Sequence, residues 1–544
     1  MTLEKAIQYT LVAIYLATLV AVAFYGFHRY VLVYLYVKHR HNGYQPKGKF
    51  EQLPRITVQL PMYNEDVVAE RIIRASCHID YPLDRLEIQV LDDSTDHSAD
   101  IARLACEEWA AKGFPIKYIH RNNREGYKAG ALAEGLKAAS GEYIAIFDAD
   151  FVPPRDILQN VVNYFTDDKV GMVQVRWDHL NRDASLLTKS QAIFLDGHFV
   201  IEHTARNRSG RFMHFNGTAG VWRRTTIDDA GGWQHDTLTE DLDLSYRAQI
   251  KGWQFVYLPQ FCAPAELPPE MIAFKQQAHR WTKGSMQTAI KLLPKILRSK
   301  HLPYTVKSEA FFHLTNTLVY PLMVILTLMI WPAFFSFFNV EGPIKQYTWG
   351  HYLFSATLFV LATCSASTFF FFGQRELFGR EAGWKTLLYL PILMGLGVGI
   401  CLNNCKAVME AIWSSYFPAK DGKSKGGEFV RTPKYGSTGS AKNSWQADGT
   451  RPADYAGPMN VRTDRPAIFT LKRLTLPIIE ICFGIYMSIF IFISLYYQFA
   501  LPSVPFLCIF AGGYFYVGWS SLYVLWKMQQ DAEDQIAAQE AFPT

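Results

Sequence analysis

Much is missing from this 544-residue sequence, and each absence removes a class of function. Its eight cysteines (Cys77, Cys106, Cys262, Cys364, Cys401, Cys405, Cys482 and Cys508) are scattered. No C-x-x-C is paired with a second such unit or with a His-x-x-x-His, so a zinc-ribbon or finger design is excluded and the thiols read as reduced. Cys401 and Cys405 stand one helical turn apart in an apolar stretch, the setting of small buried hydrophobes rather than metal ligands. No Gly-x-x-x-x-Gly-Lys-Ser/Thr loop occurs, which argues against a nucleotide-driven transporter. The formal net charge is only +5, and the basic residues crowd beside apolar runs, so nothing points to nucleic acid. There is no internal repeat and no low-complexity array.

Long apolar runs, in contrast, are present. Tyr9–Val37 is nearly uncharged and long enough to cross a bilayer, for which about 20 residues suffice. It is too long for a cleaved signal peptide, and Lys38-His39-Arg40-His41 directly after it sets that end inside and Met1 outside. Further spans are predicted over Phe311–Phe338, Tyr352–Phe372, Leu476–Tyr497 and Pro505–Trp526. The run Leu387–Leu402 has basic residues on both flanks (Arg375, Arg380, Lys385; Lys406), so the positive-inside bias favours an in-plane or re-entrant element over a sixth span, although hydropathy alone favours a span. Only Glu480 stands out as an ionisable residue in the clear span cores, which argues against a transporter or channel. The expected organisation is an anchor at 1–42, a cytoplasmic α/β domain at 52–268, interfacial helices at 269–304, two spans within 305–375, an interfacial or re-entrant helix at 384–417, a cytoplasmic loop at 418–473, two spans within 474–528 and a polar tail at 529–544.

Within 52–262, short apolar runs alternate with helical patterns, the signature of a parallel sheet covered by helices on both faces. Strands are predicted at Ile56–Leu60, Leu86–Leu91, Ile116–His120 and Tyr143–Phe147, and helices at Val67–Cys77, Ala99–Ala111 and Lys128–Ala139. Ligands of such sheets collect at the carboxyl ends of strands. Polar residues stand there: Asn64-Glu65, Asp92-Asp93 and Asp148-Ala149-Asp150. Asp148 and Asp150 follow an apolar strand and flank one residue, so both carboxylates can face a hard cation such as Mg²⁺ or Mn²⁺. Further on come the acidic cluster Thr239-Glu240-Asp241 and, on an amphipathic segment at about Ile272–Leu297, the pentad Gln277-Ala278-His279-Arg280-Trp281. That segment suits a helix lying in the membrane interface.

Taken together, the Asp-x-Asp, the Thr-Glu-Asp, the Gln-x-x-Arg-Trp and the downstream spans resemble the membrane-embedded family-2 glycosyltransferases, such as cellulose, chitin and hyaluronan synthases. The wordings Val173-Gln174-Val175-Arg176-Trp177, Phe215–Arg223, Ala230-Gly231-Gly232-Trp233 and Thr239–Asp243 are most similar to the cellulose-synthase-like A and C groups. The resemblance implies a GT-A (Rossmann-like) cytoplasmic domain between transmembrane helices. It implies a processive, inverting hexosyltransferase that builds a β-1,4-glucan or (gluco)mannan from UDP-glucose or GDP-mannose and passes the growing glycan through its own spans. The alternative product is a glycolipid, with the sugar placed on diacylglycerol or ceramide. The resemblance gives Asp241, with Glu240 and Thr239, to catalysis, Asp241 as the base for the acceptor hydroxyl. Donor contacts fall to Glu65, Asp92, Asp93, Lys128, Asp148, Gln277 and Arg280, and the metal, Mg²⁺ or Mn²⁺, to Asp148 and Asp150. Acceptor contacts fall to Trp281, Asn216, Gly217 and Thr218. Phe429, Thr432 and Lys434 resemble a gating loop of the Phe-x-Val-Thr-x-Lys type, with Arg431 in place of its usual valine. No cyclic-dinucleotide-binding barrel follows the last span, so regulation by that messenger is not expected. Besides donor and glycan the expected partners are membrane lipids, and the expected location is a bacterial inner membrane with the catalytic domain cytoplasmic, a pattern that a Golgi membrane shares.

Overall fold

The computed structural model describes residues 2–341, 357, 360–417, 431–434, 436, 471–497 and 501–541. Its core is a seven-stranded sheet in the order β3-β2-β1-β4-β6-β5-β7, built from β1 (Ile56–Met62), β2 (Leu86–Asp92), β3 (Ile116–His120), β4 (Tyr143–Ile146), β5 (Val170–His179), β6 (Gly220–Arg223) and β7 (Gln254–Ala265). Strands β1, β2 and β4 are buried at every position, as expected for strands covered on both faces. Polar side chains pair across the sheet: Gln59 Nε2 donates to Gln89 Oε1 at 3.0 Å and Thr57 Oγ1 to Glu87 Oε2 at 2.8 Å.

The first four strands lie within a residue or two of their predicted bounds, and the helices Asp66–Cys77, Ser98–Ala111 and Tyr127–Ala138 likewise. The expectation of a parallel sheet holds for β1 to β4 and for the pair β5 and β7, and is corrected at β6. β6 runs antiparallel to both β4 and β5, while β7 pairs parallel with β5. The chain reaches β6 only after a helical excursion, Leu186–Arg208, and enters the sheet from the opposite end. This reversal brings the loop before β6, Phe215–Ala219, to the carboxyl end of β4, beside Asp148.

Among the described residues five helical stretches are long and apolar enough to cross a membrane: Leu3–His39, Tyr304–Ser336, Arg380–Tyr416, Arg473–Tyr496 and Val504–Asp531. The chain is an integral membrane protein. Most of the predicted span Tyr352–Phe372 lies outside the described residues; its end forms Val360–Cys364 and Ser365–Phe378. The polar tail is helical through Ala541, as a continuation of the last span. The stretch over the ambiguous run is two helices, Arg380–Gly399 and Cys401–Tyr416, which meet at Ile400. From Leu393 to Glu410 it packs against the α/β domain and the helix Met271–Arg298. Leu393 shares a core with Ile193 and Val200, Leu396 and Ile400 share one with Leu187, Met271 and Phe274, and Glu410 lies 3.3 Å from both His279 and Lys283. Against the last helix the backbones nearly touch: a Cβ on Gly399 would sit 2.4 Å from the Gly513 carbonyl oxygen, the close approach that small residues permit between membrane helices.

The helix Met271–Arg298 carries the Gln-x-x-Arg-Trp pentad, and one ion pair ties it to the spans. Lys275 Nζ reaches both oxygens of Glu480, at 2.6 and 2.8 Å, and both residues are buried. Removing one member of such a pair strands the other in an apolar setting. Glu480→Gln is expected to destabilise the protein by about 3–5 kcal/mol, with Lys275→Met/Glu480→Met recovering most of the loss. Thermal unfolding in detergent would check this; equal melting of all three proteins would refute it.

Candidate active site

Two adjoining cavities open at the carboxyl ends of the strands. They hold about 620 and 780 Å³ of space that includes open solvent. Three non-glycine residues have positive φ among the described residues, and all lie beside them: Asn64 (φ 52) before Glu65, Tyr127 (φ 50) before Lys128, and Ala219 (φ 56) after Thr218. Backbone held in that costly region concentrates at sites where a side chain must be aimed.

The first cavity is lined by Tyr63, Glu65, Asp93, Arg124, Lys128, Asp148, Asp150, Arg280, Arg431, Thr432 and Lys434. Asp93 is held by Arg121, whose Nε lies 2.7 Å from Oδ1 and whose Nη2 bonds Oδ2, and the Arg124 guanidinium stacks 3.4 Å over Tyr63. Burial pushes the Glu65 carboxyl up to about 7, against the pull of Lys434 and Arg431. Cations meet both carboxylates of the Asp-x-Asp: Lys128 Nζ lies 2.5 Å from Asp148 Oδ1, and Lys434 Nζ bonds Asp150 Oδ2. Burial opposes the charge on Lys128, but Asp148, Glu240 and Asp241 hold its pKa above the ordinary value.

The second cavity shares the wall of Lys128, Asp148, Asp150, Arg280 and Lys434, and adds Trp177, Asn216, Gly217, Thr239, Glu240, Asp241, Glu266, Gln277 and Trp281. Thr239 is the N-cap of the helix Glu240–Ile250, so Glu240 and Asp241 stand in its first turn, where the helix dipole favours negative charge. Asp241 Oδ1 accepts from the Leu242 amide at 2.8 Å. Its Oδ2 faces Gly217, whose φ of 82 and missing side chain allow the approach: a Cβ there would sit 3.0 Å from that oxygen. Burial and repulsion from Glu240 push the Asp241 carboxyl up to about 7, and burial raises Glu240 as well. A buried carboxyl poised near neutrality suits a general base.

The long helix docks on this acidic turn. Gln287 Oε1 accepts from the Leu238 amide at 3.0 Å, and Thr288 Oγ1 lies 3.2 Å from Thr239 Oγ1. Gly284, which the sequence reading did not single out, makes the contact possible, because a Cβ there would lie 2.5 Å from Thr239 Cγ2 and 2.8 Å from its amide nitrogen. Gly284→Ala is therefore expected to cost about 1–3 kcal/mol by overpacking and to disturb the site by moving Thr239–Asp241 away from Arg280. A melting curve with an activity assay would check it, and an unchanged rate would show that the contact is not needed.

Most of the predicted site residues come together here, with three exceptions. Asp92 lies inside β2 and outside both cavities; its carboxylate accepts from the Ser94 amide at 2.9 Å and the Tyr118 hydroxyl at 2.7 Å, so it braces the strand end. Thr218 is buried and accepts the Asp148 amide on Oγ1 at 2.9 Å, so it positions the Asp-x-Asp rather than facing the second cavity. Phe429 lies outside the described residues, whereas Thr432 accepts from Arg280 at 3.3 Å. Gln277, expected at the donor, lines the second cavity instead. Besides Gly284 the sequence reading missed Arg121, Arg124 and Glu266, the last held by Arg71 at 2.6 Å. Their only sequence signal is position: Arg121 directly follows β3, and Glu266 directly follows β7.

Among known proteins, residues 54–284 match the family model described as glycosyltransferase like family 2. The chain is 42% identical over 264 residues to glucomannan 4-beta-mannosyltransferase 9 of Arabidopsis thaliana, covering 48% of this chain and 50% of that protein. It is 44% identical over 252 residues to probable glucomannan 4-beta-mannosyltransferase 4 of Oryza sativa subsp. japonica, covering 45% and 46%. The chain thus spans about half the length of the curated relatives it matches. The mannosyltransferase PcManGT from Pyrobaculum calidifontis, solved with GDP-Man and Mn²⁺, aligns with a TM-score of 0.47 at 19% identity, covering 76% of this chain and 99% of that one. Residues 54–284 are thus similar to the glycosyltransferase like family 2, and about half of the chain is similar to the plant glucomannan 4-beta-mannosyltransferases.

Proposed function

We propose that this chain is a processive, inverting hexosyltransferase that extends a β-1,4-linked glycan of the mannan or glucomannan type from a nucleotide sugar and feeds it into its own membrane helices. The observation that carries this reading is the shared wall. Lys128, Asp148, Asp150, Arg280 and Lys434 separate a cavity lined by Glu65 and Asp93 from one lined by Asp241, Gln277 and Trp281. A donor placed in the first cavity presents its diphosphate to the cations of that wall. An acceptor placed in the second presents a hydroxyl to Asp241.

The chain's own groups then divide the reaction. Asp241 Oδ2 takes the proton of the acceptor hydroxyl as that oxygen bonds to the anomeric carbon, and the bond to the departing diphosphate breaks on the opposite face, so an α-linked donor yields a β-linked product. Arg280 and Lys128 hold the charge that develops on the diphosphate, Arg280 by its forked donors. Trp281 offers a flat face to the acceptor sugar. Asp148 and Asp150 fit a divalent ion, because both carboxylates face the shared wall and already meet cationic groups there. When bound, Mg²⁺ or Mn²⁺ would neutralise the leaving diphosphate.

The relatives' names support mannosyl transfer and so a GDP-mannose donor, with UDP-glucose the competing donor. They are plant proteins, which lends no support to a bacterial inner membrane; the proposal is a membrane whose cytosolic side carries the catalytic domain. Residues 384–417 are proposed to lie in the membrane plane. The contacts of this stretch with Leu187, Met271, His279 and Lys283 support it, because they hold Leu396 to Glu410 against the α/β domain and the helix Met271–Arg298. The test is to incubate purified protein in lipid with Mg²⁺ or Mn²⁺ and each radiolabelled UDP- and GDP-sugar, then size the product and digest it with linkage-specific hydrolases. A long chain cut by an endo-β-1,4-mannanase or glucanase is expected. A label confined to diacylglycerol or ceramide would overturn the polymer in favour of a glycolipid.

A further inference from the structure

Behind Asn216, away from the carboxylates, three histidines converge. His198 and His203 lie on the seven-residue π-helical segment Gly197–His203, a wide turn that sets residues five apart on one face and recurs at functional sites. His214 arrives from the loop before β6. One ring nitrogen from each lies within 4.8 Å of the others. The three Nε2 atoms meet at a single amide: His203 Nε2 is 2.6 Å from Asn216 Oδ1, and His198 Nε2 and His214 Nε2 are each 3.1 Å from Asn216 Nδ2.

The surroundings are those of a ligand set. His198 Nδ1 lies 2.9 Å from a Glu202 carboxylate oxygen that Arg206 also holds at 3.2 Å; a carboxylate on the far nitrogen is what orients an imidazole toward a metal and raises its basicity. Among the described residues the Nδ1 atoms of His203 and His214 are buried without a partner, so no second bond there fixes either ring, and each can turn or shift its proton to free the nitrogen that faces inward. Three imidazoles with no carboxylate among the donors select a borderline transition metal over Mg²⁺, Ca²⁺ or Mn²⁺.

We propose that His198, His203 and His214 form a binding site for a divalent transition-metal ion of the zinc class, distinct from the Asp148–Asp150 pair. The ion replaces the Asn216 NH₂ as the partner of the imidazoles, and the rings close on it from their present spacing to bonds of about 2.0–2.1 Å. Asn216 precedes Gly217, whose carbonyl accepts from Lys128 at 2.8 Å, so occupancy of this site changes the loop that supports the reaction centre.

The proposal is tested by metal binding rather than by turnover. Tag-free protein in lipid nanodiscs is equilibrated with low-micromolar Zn²⁺, dialysed and assayed by elemental analysis; a second sample takes Co²⁺ and is read by its visible absorption. About one Zn²⁺ per chain and a Co²⁺ band of tetrahedral intensity are expected. His214→Gln should lower the affinity at least about tenfold, as loss of a ligand or its support does, and His203→Gln/His214→Gln should abolish the band, while Asp150→Ala leaves both signals in place. His214→Gln tests the site even where the double variant fails to fold. Zn²⁺ retained equally by wild type and His214→Gln, Co²⁺ signals lost in Asp150→Ala, or no retention by the wild type would each overturn the site and leave the histidines as a clamp for the Asn216 amide.

Discussion

Asp241→Asn is expected to lose transfer by about 10²–10⁴-fold, the usual contribution of a positioned general base, while still binding donor. The substitution keeps the size of the side chain and its Oδ1 bond to the Leu242 amide, so the helix start should survive; what goes is the oxygen that can accept a proton beside Gly217. The pH profile follows from the same carboxyl. An ordinary aspartate is ionised above about pH 4, whereas burial and Glu240 raise Asp241 to about 7. The basic form is thus already lost as pH falls through about 7, and the rate should rise with pH across that value. In Glu240→Gln the repulsion is removed, and the rising limb should move to lower pH. Steady-state transfer with labelled donor, beside donor binding by calorimetry, would check both; normal transfer by Asp241→Asn would end the assignment.

Asp150→Ala is expected to lower transfer by at least about 100-fold, since charge stabilisation by a bound divalent ion is worth several kcal/mol. It should also weaken Mn²⁺ binding, read without turnover by the loss of the free-ion electron paramagnetic resonance signal on titration. Asp150 has a second partner in Lys434, so the variant also removes one tie of the segment Arg431–Lys434. Lys434→Ala separates the two effects: it removes the ammonium and leaves the carboxylate, so Mn²⁺ binding should persist or tighten. Metal dependence in Asp150→Ala equal to that of the wild type would refute the Asp148–Asp150 assignment.

How far the residues disclosed this arrangement depends on the kind of signal each element carries. Strands β1, β2 and β4 were legible because a strand buried on both faces must be an unbroken apolar run, and the polar residues at their ends then marked the site. β7 was not, because Pro259 and Pro264 interrupt it. Proline cannot donate to a sheet ladder, and the register against β5 slips between Val175 and Arg176 to absorb the irregularity. β6 is four residues long, too short to show a period. The acidic turn and the Gln-x-x-Arg-Trp pentad were legible as motifs, but what joins them is Gly284, whose role is the absence of a side chain opposite Thr239. Asp92 and Asp93 look equivalent in sequence, yet strand alternation turns one carboxylate into the fold and the other toward the cavity. His198 and His203, five apart, match neither an α-helical nor a strand spacing, so no periodic reading would pair them.

The stretch Thr239–Trp281 therefore joins an acidic turn of the catalytic domain to a helix anchored in the spans through Lys275 and Glu480, and the central claim is that glycan made at the turn leaves through the membrane. Proteoliposomes that display the catalytic domain outward test this most directly. Labelled donor is added outside, polymer is allowed to form, and an endo-β-1,4-glycan hydrolase is then added outside with and without detergent. Product that resists the hydrolase until detergent opens the vesicles is the predicted result. Product fully digested in intact vesicles would place synthesis without translocation and contradict the account.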